Sequence, residues 1–217
     1  MKRIIYILLV SLVTLSCSDF LDKSPTDFNS PKNYFKNENE VNTALVGVYD
    51  VLGKTGTYGR TMYFELDMSD EGFSNLSSQT LDLSLNDYNS SDAKVNTLWT
   101  LLYDGINRAN MLLENIDGPD LEMDGTKKEM VRGEALFLRA YYYFLLVSNW
   151  GDVPLRIETV KSPKDVHLAK TDSRVIYNLI LSDMETAFHK GDYITSYKHN
   201  GRITKSVVAG ILARVNL

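Results

Sequence analysis

The residues best equipped to meet a sugar lie in one polar stretch: Asp70, Asn75, Asn86, Tyr88 and Asn89. A phenol ring can stack on the C–H face of a pyranose, while amides and a carboxylate take its hydroxyls. The other reading of the stretch is a plain solvated loop, whose usual composition is Asn, Ser and Asp. Asp70-Glu71, with Asp67 upstream, also supplies two carboxylates, the minimum for glycoside hydrolysis, where one group is the acid and the other the base or nucleophile. Any acidic loop offers as much, so catalysis is not expected from it.

Cys17 is the only cysteine in the 217 residues, which excludes an internal disulfide and a multi-cysteine metal site. It follows Lys2, Arg3 and an apolar run from Ile4 to Val10 that continues through Leu12, Val13 and Leu15. About twelve apolar residues are too few to span a bilayer, which takes roughly 20 in a helix, but they suit the h-region of a signal peptide. Residues 1–16 are therefore expected to be a lipoprotein signal peptide, cleaved to leave Cys17 as an acylated N-terminus. Thr14 and Leu15 depart from the common lipobox, which has Leu three residues before the Cys and Ala or Ser two before. The alternative is an ordinary secretory signal ending near a buried thiol. Two or more acyl chains, palmitate among them, would hold the protein firmly on a membrane.

His167, His189 and His199 stand in three contexts with no second ligand at i+3 or i+4, so neither a metal nor another cofactor is expected. Gly53, Gly56 and Gly59 do not form GxGxxG and follow no strand; they are expected to open a flexible connection, not to cradle a phosphate. Removing Lys2 and Arg3 with the leader leaves 21 basic against 28 acidic residues, a net charge near −7. With no basic patch interleaved with aromatics, nucleic acid is not an expected partner.

The elements that must position these groups follow from periodicity. Residues 17–37, with Pro25 and Pro31, form an N-terminal tether. From Glu38, apolar Val41, Leu45, Val48 and Leu52 make one helical face ending before Gly53. Residues 70–91 are expected to be a long loop or a pair of loops. A helix capped by Ser91 or Asp92 then carries Val95, Leu98, Trp99, Leu102, Ile106, Ala109, Leu113 and Ile116, and Asp117-Gly118-Pro119 stops it. A partner helix from about Thr126 to Asn149 answers it with Met130, Phe137, Leu138, Tyr141, Tyr142, Leu145 and Leu146 on one side, so the two make an antiparallel pair. Trp99 and Tyr103 are expected in the core, and Glu134 and Arg139 in helix-to-helix polar contacts. A third helix runs from Asp172 to about Lys190, with Asp172 or Thr171 as cap. A fourth begins near Thr204 and is still running at Leu217. Ala135–Ala140 loosely echoes Gly210–Val215, and Gly133, Phe137 and Ala140 match the second helix of a tetratricopeptide unit. The expected fold class is all-α: irregular tetratricopeptide-like helical hairpins with long polar loops.

Taken in order, Cys17–Asp22, Ala44–Tyr49, Ile106–Asn110, Gly133–Tyr141, Asn149–Leu155, Gly201–Thr204 and Leu212–Val215 resemble the SusD/RagB lipoproteins of Bacteroidota. The resemblance implies a non-catalytic lipoprotein, exposed on the cell outer membrane, that binds oligosaccharides or other nutrients and delivers them to a SusC-like TonB-dependent transporter. It also implies that N-terminal loops contribute ligand contacts, and that Glu134 and Arg139 belong to the scaffold. Family members are longer, so residues 38–217 are read as the family's N-terminal α-helical domain, incomplete at its C-terminus, with an exposed apolar edge on the last helix. Two other classes stay open: a tetratricopeptide-like protein-binding scaffold without glycan binding, and a glycoside hydrolase.

Overall fold

The computed structural model describes residues 34–60, 89–162, 166–190 and 201–217. Among them stand five helices: α1 (Glu38–Asp50), α2 (Ala93–Asn115), α3 (Gly125–Trp150), α4 (Ser173–Lys190) and α5 (Lys205–Val215). Side-chain caps set the starts. Asn37 Oδ1 caps α1 by accepting from Glu40 N at 3.0 Å, and Glu40 Oε2 reaches back past the cap to accept from Lys36 N at 2.7 Å. Asp92, not Ser91, caps α2 by accepting from Lys94 N at 2.7 Å, and Asp124 caps α3 by accepting from Thr126 N at 2.9 Å. Both place a carboxylate at the positive end of a helix dipole. Thr204 caps α5 through Val207 N.

Helix α3 is the hub, packing against α1, α2 and α4. Three neighbours bury it around most of its circumference, so the one-sided stripe expected for it is too narrow. Val131, Tyr143 and Val147 are buried beside the anticipated Phe137, Leu138, Tyr142, Leu145 and Leu146, whereas Met130 and Tyr141 are only half-buried. Along α2 the stripe holds at Leu98, Leu102, Ile106, Ala109 and Ile116, but Leu112 takes the inner place expected of Leu113. Each fully buried Leu or Ile contributes about 2 kcal/mol of transfer free energy to this core. The α1 face continues from Val48 to Val51, not to Leu52. The chain tightens there into a 3₁₀ turn, Val51–Gly53, whose three residues per turn bring Val51 inward.

The glycine segment after α1 is a packed turn. Buried Thr57 donates its hydroxyl proton among the Val51, Leu52 and Lys54 carbonyls, at 2.5, 2.9 and 2.9 Å, and Gly59 N donates to Lys54 O at 3.0 Å. A Cβ on Gly59 would lie 2.7 Å from the Gly53 and Lys54 oxygens, so the glycine serves close approach, not the flexible connection expected.

One short ladder departs from an all-helical reading: β1 (Val153–Pro154) pairs antiparallel with β2 (Lys170–Thr171), Val153 opposite Thr171. At the far end, α5 runs to Val215, and Asn216 N still donates the helical bond to Leu212 O at 3.2 Å. Val207 on its outer side is 45% exposed. The compact unit holding all five helices runs from Phe35 to Leu217.

Candidate functional site

Between α3 and α4 the chain doubles back along α2 as a strap, and one groove opens under it. Polar α2 side chains spaced seven and four apart hold the strap. Tyr103 Oη donates to Pro154 O at 2.7 Å, Asn110 Nδ2 donates to Arg156 O and Glu158 O at 3.2 and 3.3 Å, and Glu114 accepts from Thr159 N and Oγ1, both at 2.7 Å. From α3, Tyr143 Oη lies 2.8 Å from Arg156 O and 2.6 Å from Arg156 N, donating to one and accepting from the other. Burial pushes the Tyr143 phenol up to about 12, and the Tyr103 phenol up as well, so both stay protonated donors at neutral pH.

The groove encloses about 300 Å³ among Trp99, Tyr103 and Asn107 of α2, Pro154 and Arg156 of the strap, and His167 and Leu168 of the return segment. That is the lower end of small-ligand pocket sizes. The Trp99 indole sits 5.0 Å from the Tyr103 ring at 49°, and the Trp150 ring meets it edge-on at 5.3 Å. Trp150, at the last turn of α3, thus props Trp99 from behind. Trp99 and Tyr103 are half-exposed groove walls, not the core residues expected from the sequence, because the core-facing positions next to them are taken by Leu98 and Leu102. Arg156 Nη2 also donates to Val166 O across the groove. Such an arrangement can stack a flat apolar ring face and hydrogen-bond its rim.

A second cavity, about 450 Å³ and mainly apolar, lies between α1 and α3 against Leu45, Tyr49, Met123, Met130 and Arg202. Two of its lining residues, Tyr49 and Arg202, bind the fully buried Glu134, which accepts a fork from Arg202, Nε at 3.0 Å and Nη2 at 2.5 Å, together with the Tyr49 hydroxyl. Tyr49 Oη in turn accepts from Ile203 N at 3.0 Å. Burial first, and the Glu134 charge second, push the Tyr49 phenol far above its ordinary value. Glu134 and Arg139 are scaffold contacts, as expected: the first ties α1, α3 and the lead into α5, and the second ties α3 to α4.

Asp70, Asn75, Asn86 and Tyr88 lie outside the described residues, as do Cys17, Asp67, Glu71 and His199. Asn89 is exposed; its Oδ1 accepts from Ser91 N at 2.8 Å and its carbonyl from Asp92 N at 3.0 Å, making the turn that launches α2. His189 is exposed, edge-on to Phe188 at 5.3 Å. No cluster of three His, Cys, Asp or Glu side chains fit for a metal occurs among the described residues. Sequence reasoning missed the strap and with it Asn107 and Arg156. The available signal was the polar series Tyr103, Asn107, Asn110 and Glu114, which recurs at helical spacing opposite the apolar stripe.

A SusD-like family model described as "Starch-binding associating with outer membrane" matches residues 19–217. The chain belongs to the SusD-like family. It is 26% identical over 224 residues to the SusD-like protein P25 of Formosa agariphila, covering 99% of this chain and 42% of that relative. A solved laminarin-binding SusD-like protein is 31% identical, with a TM-score of 0.70 over 83% of this chain and 40% of that one. A SusD homologue of Bacteroides thetaiotaomicron superposes with a TM-score of 0.76 at 24% identity, over 85% of this chain and 37% of its own. This SusD-like chain therefore spans less than half the length of the relatives it matches, and its all-α architecture is theirs. Among the described residues no helix is long and apolar enough to cross a membrane.

Proposed function

We propose that this SusD-like chain binds oligosaccharides at the cell outer membrane, on its outer surface, and passes them to a SusC-like TonB-dependent transporter without cleaving them. Acylation of Cys17 supplies the anchor in this reading, and residues 17–37 the tether. The observation that carries it is the groove under the strap. A braced indole and a phenol stand beside an amide and a guanidinium, the combination that stacks a sugar ring and takes its hydroxyls. The likeness to a laminarin-binding relative supports the same ligand class. Asp70, Asn75, Asn86, Tyr88 and Asn89 remain proposed contacts from the loop that precedes α2.

Calorimetry of the chain against a panel of oligosaccharides tests this. Binding without turnover is expected, with Trp99→Ala weakening it about tenfold, since a stacked aromatic contributes about 0.5–1.5 kcal/mol beyond the area it buries. Sugar cleavage that disappears in Asp70→Asn or Glu71→Gln would instead make the protein a hydrolase. A second reading, a protein-binding helical scaffold, draws on the apolar cavity between α1 and α3, where Val46 is 64% exposed. No heat with any glycan, alongside retained binding to the transporter, would favour it over the first.

A further inference from the structure

We infer that the groove under the strap selects a sugar that carries a methyl group, either a 6-deoxy sugar or an acetyl ester; this rests on the glycan-binding reading above. The lining is mainly apolar: Pro154 and Val160 of the strap and Val166 and Leu168 of the return segment stand with Trp99 and Tyr103. Val160, Val166 and Leu168 are 41%, 50% and 45% exposed, and Ile157 on the same strap is 55% exposed. These four are half of the eight large apolar side chains exposed among the described residues, and they fall within the twelve positions from Ile157 to Leu168. Single exposed apolar residues are ordinary on a protein surface, but a cluster that lines a groove marks a binding surface.

The polar groups of the groove are few, and two are engaged. Tyr103 Oη donates to Pro154 O at 2.7 Å, and Arg156 Nη2 donates to Val166 O, tying the strap to the return segment. Among the described residues, that leaves the Trp99 indole N–H, the Asn107 amide and the His167 ring to meet a ligand. Those groups serve part of a sugar's rim. A hydroxyl turned toward Val160 or Leu168 would lose water and gain no hydrogen-bond partner there, which disfavours binding. A methyl group in its place buries apolar surface instead, worth about fourfold in affinity. With the stranded hydroxyl gone as well, discrimination of about tenfold is within what an apolar pocket achieves for one such group. An acetyl group also brings a carbonyl oxygen to which the Asn107 amide or the Trp99 N–H can donate.

Calorimetry of the chain against two matched pairs tests this. One pair is an acetylated xylan oligosaccharide and the same oligosaccharide after de-esterification. The other is a fucosylated oligosaccharide and its counterpart with L-galactose in place of L-fucose. A laminarin fragment serves as a further sugar without methyl groups. In at least one pair the methyl-bearing member is expected to bind about tenfold more tightly, and the pair that shows it identifies the group as acetyl or 6-deoxy. Val160→Thr and Leu168→Asn nearly keep side-chain size and put a polar atom on the groove, so each should bring that ratio down to about two- to threefold. Both positions are exposed, so the melting temperature should stay within about 2 °C. Val175→Thr, the same change at an exposed α4 position outside the groove, should leave the ratio as it is. Affinities within about twofold in both pairs, or a preference for the hydroxyl-bearing members, would overturn the inference while leaving glycan binding intact. So would laminarin binding with silence from both pairs, and so would a methyl preference that survives both Val160→Thr and Leu168→Asn. Silence of laminarin and of both pairs would overturn the glycan-binding reading itself.

Discussion

Arg139 of α3 and Asp183 of α4 meet as a two-pronged pair, Nε to Oδ2 at 2.8 Å and Nη2 to Oδ1 at 2.9 Å, with both side chains at most 10% exposed. The remaining Nη1 donates to Asn110 Oδ1 at 2.9 Å, so the guanidinium joins three helices. Burial pushes the Asp183 carboxyl up from its ordinary value, and the Arg139 fork opposes that rise. Removing one member leaves a buried charge without its partner. Asp183→Ala is expected to cost about 3–5 kcal/mol in urea unfolding. Replacing both, Arg139→Met with Asp183→Leu, should recover part of the loss, and the Asn110 carbonyl left unpaired should prevent full recovery. A single Asp183→Ala costing under about 1 kcal/mol would show that water reaches the pair.

Gly105 faces Tyr142 at the α2–α3 crossing, where an added Cβ would stand 2.5 Å from Cε2. Alanine gains about 1 kcal/mol of helix propensity over glycine, so the clash must decide the sign. Tyr142 is fully buried and its hydroxyl donates to Val48 O at 2.5 Å, so the ring cannot swing away. Gly105→Ala should therefore destabilise by about 1–3 kcal/mol as the helices are forced apart. A raised melting temperature would contradict this crossing.

Glu114 does not line the groove, yet it clamps the strap through Thr159. Glu114→Ala should free that part of the strap and weaken oligosaccharide binding about two- to tenfold, with little change in global stability because the residue is exposed. Calorimetry paired with a thermal melt separates the two effects. Unchanged affinity would mean that Tyr103, Asn110 and Tyr143 suffice to hold the strap.

Asp172, ahead of α4, accepts from Arg174 Nε at 3.0 Å, Nη2 at 2.8 Å and N at 2.8 Å. Those bonds lower its carboxyl from 3.8 to about 2. A folded value below the unfolded one stabilises the helix start above pH 3.8, and that contribution fades as the pH falls towards 2. Carboxyl chemical shifts followed by NMR should give a midpoint near 2. A midpoint near 3.8 would show that the Arg174 contacts do not form in solution.

Helix positions were legible because they follow from local chemistry. Asp92 and Asp172 offer capping side chains at helix entries, and apolar residues three and four apart mark α1, α2 and α4 without reference to any other element. The strap was not legible. Its bonds to α2 join residues 45 to 51 positions apart through single side chains, and no period along 151–172 announces them.

The sequence by itself determined the all-α class, the helix starts, the acidic balance and the resemblance to SusD/RagB lipoproteins. Each is a property of composition, short-range spacing or ordered motifs. Only the tertiary structure decided that Trp99 and Tyr103 wall a groove and that Arg156 enters it. Which side of a helix faces a ligand depends on what packs on its other sides. Here the Leu98 and Leu102 positions are taken by the core, and the strap folds over the side that remains.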